Sequence, residues 1–270
     1  MSHEKGMMLE NCSLAEKQTS RYWIGGASPL ANCMSGGLGQ LTGDWLATIS
    51  NLLPPTLAFA ALALAIGAVT REKISRNDRM SIVWFCFALG ILSWFLAEVV
   101  WDLYPLYLGI QTPFPSIADV FGIAGYIPAV AGLLVLIWPF RSEFYSKKIV
   151  AGSLLTLLAV LSLTAFSVLH EPFTIDVLAV GLIYVVLDVL VLSIAVPALI
   201  VLREGSFWKP FLVLTSGIVL ALFSHMVSTW VSTFGPYYLD QLSELLLNFG
   251  YILAAIGFYM RMVQLSKKLL

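Results

Sequence analysis

The sequence contains few charged residues, and this scarcity sets its broad class. Only 11% of its 270 residues are Asp, Glu, Lys or Arg, whereas soluble domains carry roughly 25%. Hydrophobic residues make up 59% of the chain, and its mean hydropathy is +0.87. These values exclude an ordinary soluble domain. A net charge of -1 also provides no basic surface for a phosphate backbone, so we expect no nucleic-acid partner.

Several catalytic and cofactor chemistries lack the residues they need. A zinc hydrolase of the ceramidase or adiponectin-receptor kind needs about three His ligands, but His3, His170 and His225 are not at ligand spacing. Retinal attachment needs a Lys in the last apolar segment, which has none before Lys267. His170 with His225 is a weak candidate pair for haem. No Gly-x-Ser-x-Gly elbow, Walker loop or Cys cluster occurs. No cofactor or metal is assigned, and the sequence favours a non-enzymatic protein.

Long apolar runs are what the sequence does contain. A membrane-spanning helix needs about 20 apolar residues, and seven segments are long enough. We place them at 46–69, 81–104, 117–138, 149–169, 175–201, 208–232 and 241–263. The predicted fold is an all-α, polytopic seven-helix bundle at 46–263, with a polar N-terminal segment at 1–45 and a tail at 264–270.

Basic residues predict the orientation of this bundle. They occur in the links after the first, third and fifth predicted spans and in the tail, and the other three links contain none. Because basic residues favour the cytoplasmic side, we expect the N-terminus outside, the C-terminus inside, and a location in the cytoplasmic membrane. These residues are Arg71, Lys73, Arg76, Arg79, Arg141, Lys147, Lys148, Arg203, Lys209, Arg261, Lys267 and Lys268.

The cysteines leave two alternatives open. Cys12 and Cys33 lie in the segment predicted to be outside, where oxidation allows a disulfide. Two free thiols in a polar segment fit the sequence equally well. Cys86 lies within the second predicted span and is interpreted as a packing residue.

Acidic residues concentrate in the outer half of the predicted bundle. Glu98 and Asp102 share one face of the second span, and Asp240 and Glu244 share one face of the seventh, since each pair is four residues apart. Like charges at this spacing repel, and a charge inside the bilayer costs at least about 2.5–3.5 kcal/mol. No Lys or Arg is available on that side after Arg21. We therefore expect a proton, a cation or hydrogen bonds to compensate these carboxylates, and the inner half to be nearly free of ionisable groups.

If the polar stripes of these spans face each other, they form an acidic pocket with aromatic walls that binds a small ligand, cation or proton. Some members also have structural interpretations. Asp119 lies three residues after Ser116, which is the spacing of a capping box, and Asp102 lies near the interface, where water can hydrate it. The deeper residues suggest function by default, although interhelical hydrogen bonding alone would also explain them. The predicted site consists of Glu98, Asp188, His225 and Glu244, supported by Asp102, Asp119, Asn248 and Tyr251.

Three stretches together resemble a known family. PFPSIADVFGIAGYIPAVAGLLVL is similar to the third-helix signature of a multi-helix membrane module found ahead of bacterial and archaeal diguanylate cyclases and sensor kinases. IYVVLDVLVLSIAV resembles its fifth helix and FGPYYLDQLSELLLNFGYILAAIGFY its last hairpin. The matching positions are Pro113, Pro115, Ser116, Ala118, Asp119, Gly125, Tyr126, Gly132, Leu133, Tyr184 and Asp188.

This resemblance covers most of the chain after residue 80 and implies a sensor-like membrane domain, without naming a ligand. The module often has Asp in its sixth helix where this chain has His225, so the local chemistry is expected to differ. No cyclase or kinase domain follows LSKKLL at the end of the sequence. The expected partners are therefore the lipid bilayer and a separate cytoplasmic signalling protein, with homo-oligomerisation left open.

The leading hypothesis is a receptor- or sensor-like integral membrane protein. Two other classes remain open: a subunit of a larger membrane complex, in which the acids serve packing, and a membrane enzyme or ion-coupled carrier that uses the same acids.

Overall fold

The structure, a computed structural model, describes residues 38–72, 78–110, 112–140, 175–201, 208–234 and 238–268. These residues form six α-helices and the turns that follow two of them, and no strand occurs among them. A π-helical turn at Tyr104–Leu108 follows the second helix, and a 3-10 turn at Trp138–Phe140 follows the third. The helices are α1 (Leu38–Glu72), α2 (Arg79–Leu103), α3 (Ile117–Ile137), α4 (Ile175–Val201), α5 (Trp208–Phe234) and α6 (Tyr238–Lys268).

All six helices are long and apolar enough to cross a membrane, so the protein is a multi-pass membrane protein. They coincide with six of the seven predicted spans. The predicted span at 149–169 lies outside the described residues, as do Cys12 and Cys33. The count of seven and the orientation therefore remain predictions.

Two helix ends differ from the predicted borders. α1 begins at Leu38 rather than at 46, and α6 continues to Lys268 through most of the predicted tail. The parts of these helices apolar enough to cross a membrane are Leu52–Glu72 and Leu242–Ser266. Hydropathy predicts only the part of a helix that can cross the hydrocarbon core. It does not predict the further turns of the same helix outside that part.

Local capping explains where two helices start. The Asp78 carboxylate accepts a hydrogen bond from the Met80 backbone N–H at 3.2 Å, which satisfies one free donor at the start of α2. At the start of α3, Ser116 and Asp119 form a capping box. The predicted capping role of Asp119 is thereby confirmed.

The described helices form a closed ring. Each packs against the next along the chain order of the described helices, and α6 also packs against α1. Trp84 of α2 lies at the centre of the buried core, stacked on Phe211 of α5 with ring centroids 4.5 Å apart. Phe258 of α6 meets the edge of the same indole at 5.5 Å. This aromatic cluster therefore connects α2 with α5 and α6.

Glycines set the closest helix contact, between α5 and α6. A Cβ on Gly217 would lie 2.6 Å from the Gly250 carbonyl oxygen, and one on Gly250 would lie 3.0 Å from the Gly217 oxygen. Small residues let membrane helices approach this closely and gain van der Waals contact along their backbones. These two helices therefore pack backbone against backbone.

Candidate functional site

A polar layer crosses the bundle and contains side chains from α2 to α6. We use this name for Glu98, Asp102, Asp119, Tyr126, Tyr184, Asp188, His225, Glu244, Asn248 and Tyr251. By this definition it comprises the eight residues of the predicted site and two tyrosines that hydrogen-bond to members of it. Seven of these residues form three hydrogen-bonded groups. Asp102 and Asn248 have no hydrogen-bond partner in the described part of the chain, and Glu244 lies within electrostatic range of Glu98.

The first group joins α3, α4 and α5. The Tyr126 hydroxyl donates a hydrogen bond to the Asp188 carboxylate. The same hydroxyl lies 3.2 Å from Nδ1 of His225, and that nitrogen lies 3.9 Å from the nearer Asp188 oxygen. Because the Tyr126 proton is directed at Asp188, its oxygen is free to accept, so Nδ1 of His225 takes the donor role.

Exposure differs sharply within this group. The side chain of Asp188 is 5% exposed and that of His225 is 40% exposed, while Tyr126 is 1% exposed. The imidazole is thus the most exposed of the three side chains, and Tyr126 connects it to a carboxylate in the bundle core. Protonation or ligand binding at His225 would act directly on a contact that holds three helices together.

The second group joins α3 and α4. The Tyr184 hydroxyl donates to Oδ1 of Asp119 at 3.1 Å. The other oxygen of Asp119 accepts from the Ser116 backbone N–H at 2.6 Å and from the Ser116 hydroxyl at 3.0 Å. Asp119 therefore does more than cap its own helix, because its carboxylate also holds the neighbouring helix.

The third group joins α2 and α6. The Tyr251 hydroxyl donates to Oε1 of Glu98 at 2.7 Å. Glu98 also lies within electrostatic range of His225 and Glu244. The hydrogen bond joins α2 to α6, and the electrostatic neighbours of Glu98 lie on α5 and α6.

Asp102 and Asn248 are buried without a hydrogen-bond partner among the described residues. Each is 8% exposed. Oδ2 of Asp102 and Oδ1 of Asn248 accept no hydrogen bond from any described group. The burial of Asp102 does not fit the alternative in which water hydrates it near the interface. Close by in sequence, the Thr112 hydroxyl donates to the Trp101 carbonyl oxygen at 2.9 Å.

Aromatic rings line the layer, as the sequence predicted. Trp94 meets Tyr126 edge-on at 5.8 Å, Tyr126 meets Tyr184 at 6.2 Å, and Tyr184 meets the ring of His225 at 6.1 Å. The Trp94 indole N–H donates to the Gly122 carbonyl oxygen at 3.2 Å. These contacts orient the tyrosine hydroxyls toward their carboxylates.

Two glycines of α3 make room for this arrangement. A Cβ on Gly122 would collide with the Tyr184 hydroxyl, and one on Gly125 would lie 2.6 Å from Nε1 of Trp94. The absence of side chains at these positions lets both aromatic groups approach the helix backbone.

The sequence placed Tyr184 on the same polar stripe as Asp188, but neither Tyr184 nor Tyr126 was assigned as a site residue. Tyr184 lies one turn before Asp188 on α4, and Tyr126 follows Asp119 by two turns on α3, so helical spacing from the predicted acids was an available signal.

Cys86, interpreted as a packing residue, is a free cysteine. A Cβ built on Gly132 would lie 3.1 Å from the Cβ of Cys86. The side chain of Asp240 lies outside the described residues.

The opposite end of the bundle contains an ion pair that the sequence did not indicate. Nε of Arg261 in α6 donates to Glu72 of α1 at 2.9 Å, and Nη2 of Arg261 contacts the other Glu72 oxygen. The two side chains are 4% and 5% exposed, and the guanidinium lies 5.6 Å from the Trp84 ring centroid. The sequence interpretation had placed Glu72 in a link and Arg261 in the tail, and the structure buries both. We call Glu72, Trp84 and Arg261 the ion-pair end.

The contacts also give the relative direction of α2 and α6. Trp84 of α2 lies beside Arg261 of α6, and farther along α2 Glu98 bonds Tyr251, which precedes Arg261. The two helices therefore run in opposite directions. Asp102 on α2 and Asn248 on α6 each lie about one turn from the Glu98–Tyr251 bond, in the same direction along the bundle.

Within the described ranges, no three His, Cys, Asp or Glu side chains converge as a metal-binding group. Comparisons of the chain with protein-family models, curated proteins and solved structures found no match. The resemblance to the sensor module therefore remains a prediction.

Proposed function

We propose that the protein is a receptor- or sensor-like integral membrane protein of the cytoplasmic membrane. It binds a small ligand, cation or proton in the polar layer and passes the change to a separate cytoplasmic partner. The observation that carries this proposal is the Tyr126–Asp188–His225 group, in which a 40% exposed imidazole contacts a core residue and a 5% exposed carboxylate.

The energies of such contacts suit a switch. Hydrogen bonds between membrane helices contribute on average about 0.6 kcal/mol each and at most about 1.7 kcal/mol. A ligand shifts a two-state bundle only by the difference in its affinity for the two states. Contacts of this size, distributed over α2 to α6, are small enough for one bound ion or molecule to rearrange.

The sequence resemblance to a sensor module supports the same function, and the positive-inside pattern supports an extracytoplasmic position for the polar layer. α6 provides a physical link to the other side. Tyr251 in the polar layer and Arg261 in the ion-pair end are on this one helix, about 15 Å apart at 1.5 Å per residue. A change at Glu98 or His225 that moves α6 would thus reach the cytoplasmic end.

The test compares the wild type with Asp188→Asn, which keeps the shape of the side chain and removes its charge. Asp176→Asn is the matched control, since Asp176 is an exposed residue in the first turn of the same helix. Native mass spectrometry of gently purified protein identifies co-purified species. Hydrogen–deuterium exchange then reports opening along α6 and at the end of α1.

We expect Asp188→Asn to lose or weaken the bound species and to change exchange around Glu72 and Arg261, whereas Asp176→Asn behaves as the wild type. Exchange that changes only beside Asp188 would contradict a signalling role and favour the interpretation in which the acids serve packing within a larger membrane complex.

A further inference from the structure

The two buried acceptors of the polar layer without a partner in the described chain point to a specific class of ligand. Asp102 and Asn248 are each more than nine-tenths buried, and Oδ2 of Asp102 and Oδ1 of Asn248 receive no hydrogen bond from the described residues. A buried acceptor left unmade costs about 1–3 kcal/mol, and more when it is charged. Two of them at one level of the bundle indicate that something outside the described chain completes both.

The register of the helices places the two residues together. α2 and α6 are joined by the Glu98–Tyr251 bond of 2.7 Å and run in opposite directions. Asp102 follows Glu98 by four residues and Asn248 precedes Tyr251 by three, so each shares a helix face with a member of that bond. Both therefore lie one turn beyond it, on the same side.

The charge around this place is one-sided. Glu98 lies within electrostatic range of Asp102 and Glu244. No Lys or Arg occurs at 80–140, 175–202 or 210–260, which includes nearly all of α2 to α6. The environment presents oxygen acceptors and negative charge, and this combination selects a cation.

The unfilled positions consist of one carboxylate oxygen and one neutral amide oxygen. The carboxylate of Glu98 is already engaged by the Tyr251 hydroxyl. Two unfilled oxygens are few for Ca²⁺, which takes six to eight oxygens and commonly several carboxylates, and an ion of lower charge needs fewer such ligands. The chemistry at Asp102 and Asn248 thus suits an ion of charge +1.

We propose that Asp102 and Asn248 bind a small monovalent cation between α2 and α6, either an alkali metal ion or an ammonium group. This deepens the proposed function and rests on it, because it names the ligand class of the same polar layer. The two sources share one chemistry, a single positive charge held by oxygen acceptors.

The test is thermal unfolding of the full chain in detergent, with N-methylglucamine chloride as the background salt. NaCl, KCl, NH₄Cl and methylammonium chloride are titrated at constant ionic strength, and CaCl₂ is the divalent comparison. We expect the unfolding midpoint to rise and saturate with at least one monovalent cation, because a ligand that binds only the folded state stabilises it. Na⁺ or K⁺ alone would assign a metal ion, and the two ammonium salts would assign an amine.

Variants locate the site. Asp102→Asn and Asn248→Leu should each weaken the apparent affinity by at least about tenfold, consistent with loss of a charge-assisted contact. Asp176→Asn, an exposed change of the same charge, should leave it unchanged. Asn248→Asp keeps the oxygen and adds a charge, so its preference should move toward Ca²⁺; this readout remains if Asn248→Leu does not fold.

Equal stabilisation of the wild type and Asp102→Asn would overturn the proposal, as would stabilisation by Ca²⁺ only or by all salts alike. The Asp188→Asn experiment separates the two proposals. If Asp188→Asn alters the bound species and exchange at Arg261 while no monovalent cation stabilises the wild type, the cation site is wrong and the receptor function stands. A cation effect confined to Asp102 and Asn248, without any change at Arg261, would overturn the receptor function alone.

Discussion

Buried charges are compensated differently in the ion-pair end and in the polar layer. At the ion-pair end, Glu72 faces Arg261 with two contacts, and both are nearly inaccessible. In the polar layer, carboxylates meet tyrosine hydroxyls, and Asp102 meets no donor among the described residues. One end compensates its charge within the chain, whereas among the described residues the polar layer has more carboxylates than basic side chains. The cation proposed above would bind in the polar layer, where this excess of negative charge lies.

The largest effect is expected at the ion-pair end. Arg261→Met should lower the free energy of unfolding by about 3–5 kcal/mol, because it leaves the Glu72 carboxylate buried without its partner. Chemical unfolding in mixed micelles measures this loss. Adding Glu72→Leu should recover most of it, since the remaining unpaired charge is removed. A single variant as stable as the wild type would remove the contrast between the two ends.

A smaller loss is expected from crowding the polar layer. Gly122→Ala places a Cβ where the Tyr184 hydroxyl lies, so the bond from Tyr184 to Asp119 should break and the free energy of unfolding should fall by about 1–3 kcal/mol. Gly181→Ala is the matched control, because a Cβ there meets nothing within 4 Å. The same unfolding assay should show no loss for the control. Because Ala favours helix more than Gly does, equal losses in both variants would show that the contact with Tyr184 is not the cause.

The next variant, Asp102→Asn, should change the free energy of unfolding in the opposite direction. Asp102→Asn should raise the free energy of unfolding by on the order of 1 kcal/mol in cation-free buffer, because it removes a buried charge that no described group compensates. Opposite signs for Asp102→Asn and Arg261→Met would establish the contrast between the ends directly. A loss of stability in Asp102→Asn under these conditions would show that Asp102 has a stabilising partner of its own.

The smallest effect concerns one bond of the polar layer. A double-mutant cycle of Glu98→Gln and Tyr251→Phe should give a coupling energy of about 0.6 kcal/mol, within the usual range for bonds between membrane helices. The matching cycle of Glu72→Leu and Arg261→Met should give several times more. Comparable values for the two cycles would mean that the polar layer is held as firmly as the ion pair.

Features that depend on neighbours along the chain could be predicted from the sequence. Six described helices lie where the apolar runs place them. The capping box of Ser116 and Asp119 followed from a spacing of three residues. Both features need only the local sequence, because bilayer thickness and helix geometry supply the rest.

Features that depend on which helices are neighbours could not be predicted in the same way. Tyr251 bonds a residue 153 positions away, and Arg261 one 189 positions away. The positive-inside pattern already explained Arg261 as a basic residue near a predicted cytoplasmic end, and nothing in its surroundings along the chain indicates Glu72. The sequence therefore indicated which side chains are unusual in a membrane, and the order of helices in the ring decided how they are paired.

The contact between Gly217 and Gly250 restricts how this bundle can move. Each carbonyl lies where the other residue's side chain would be, so α6 cannot slide along α5 without driving backbone into backbone. We expect these two helices to move as one unit, so that rearrangement occurs at the contacts of α6 with α1 and of α5 with α4. In the receptor proposed above, a displacement at His225 or Tyr251 would therefore also move Arg261.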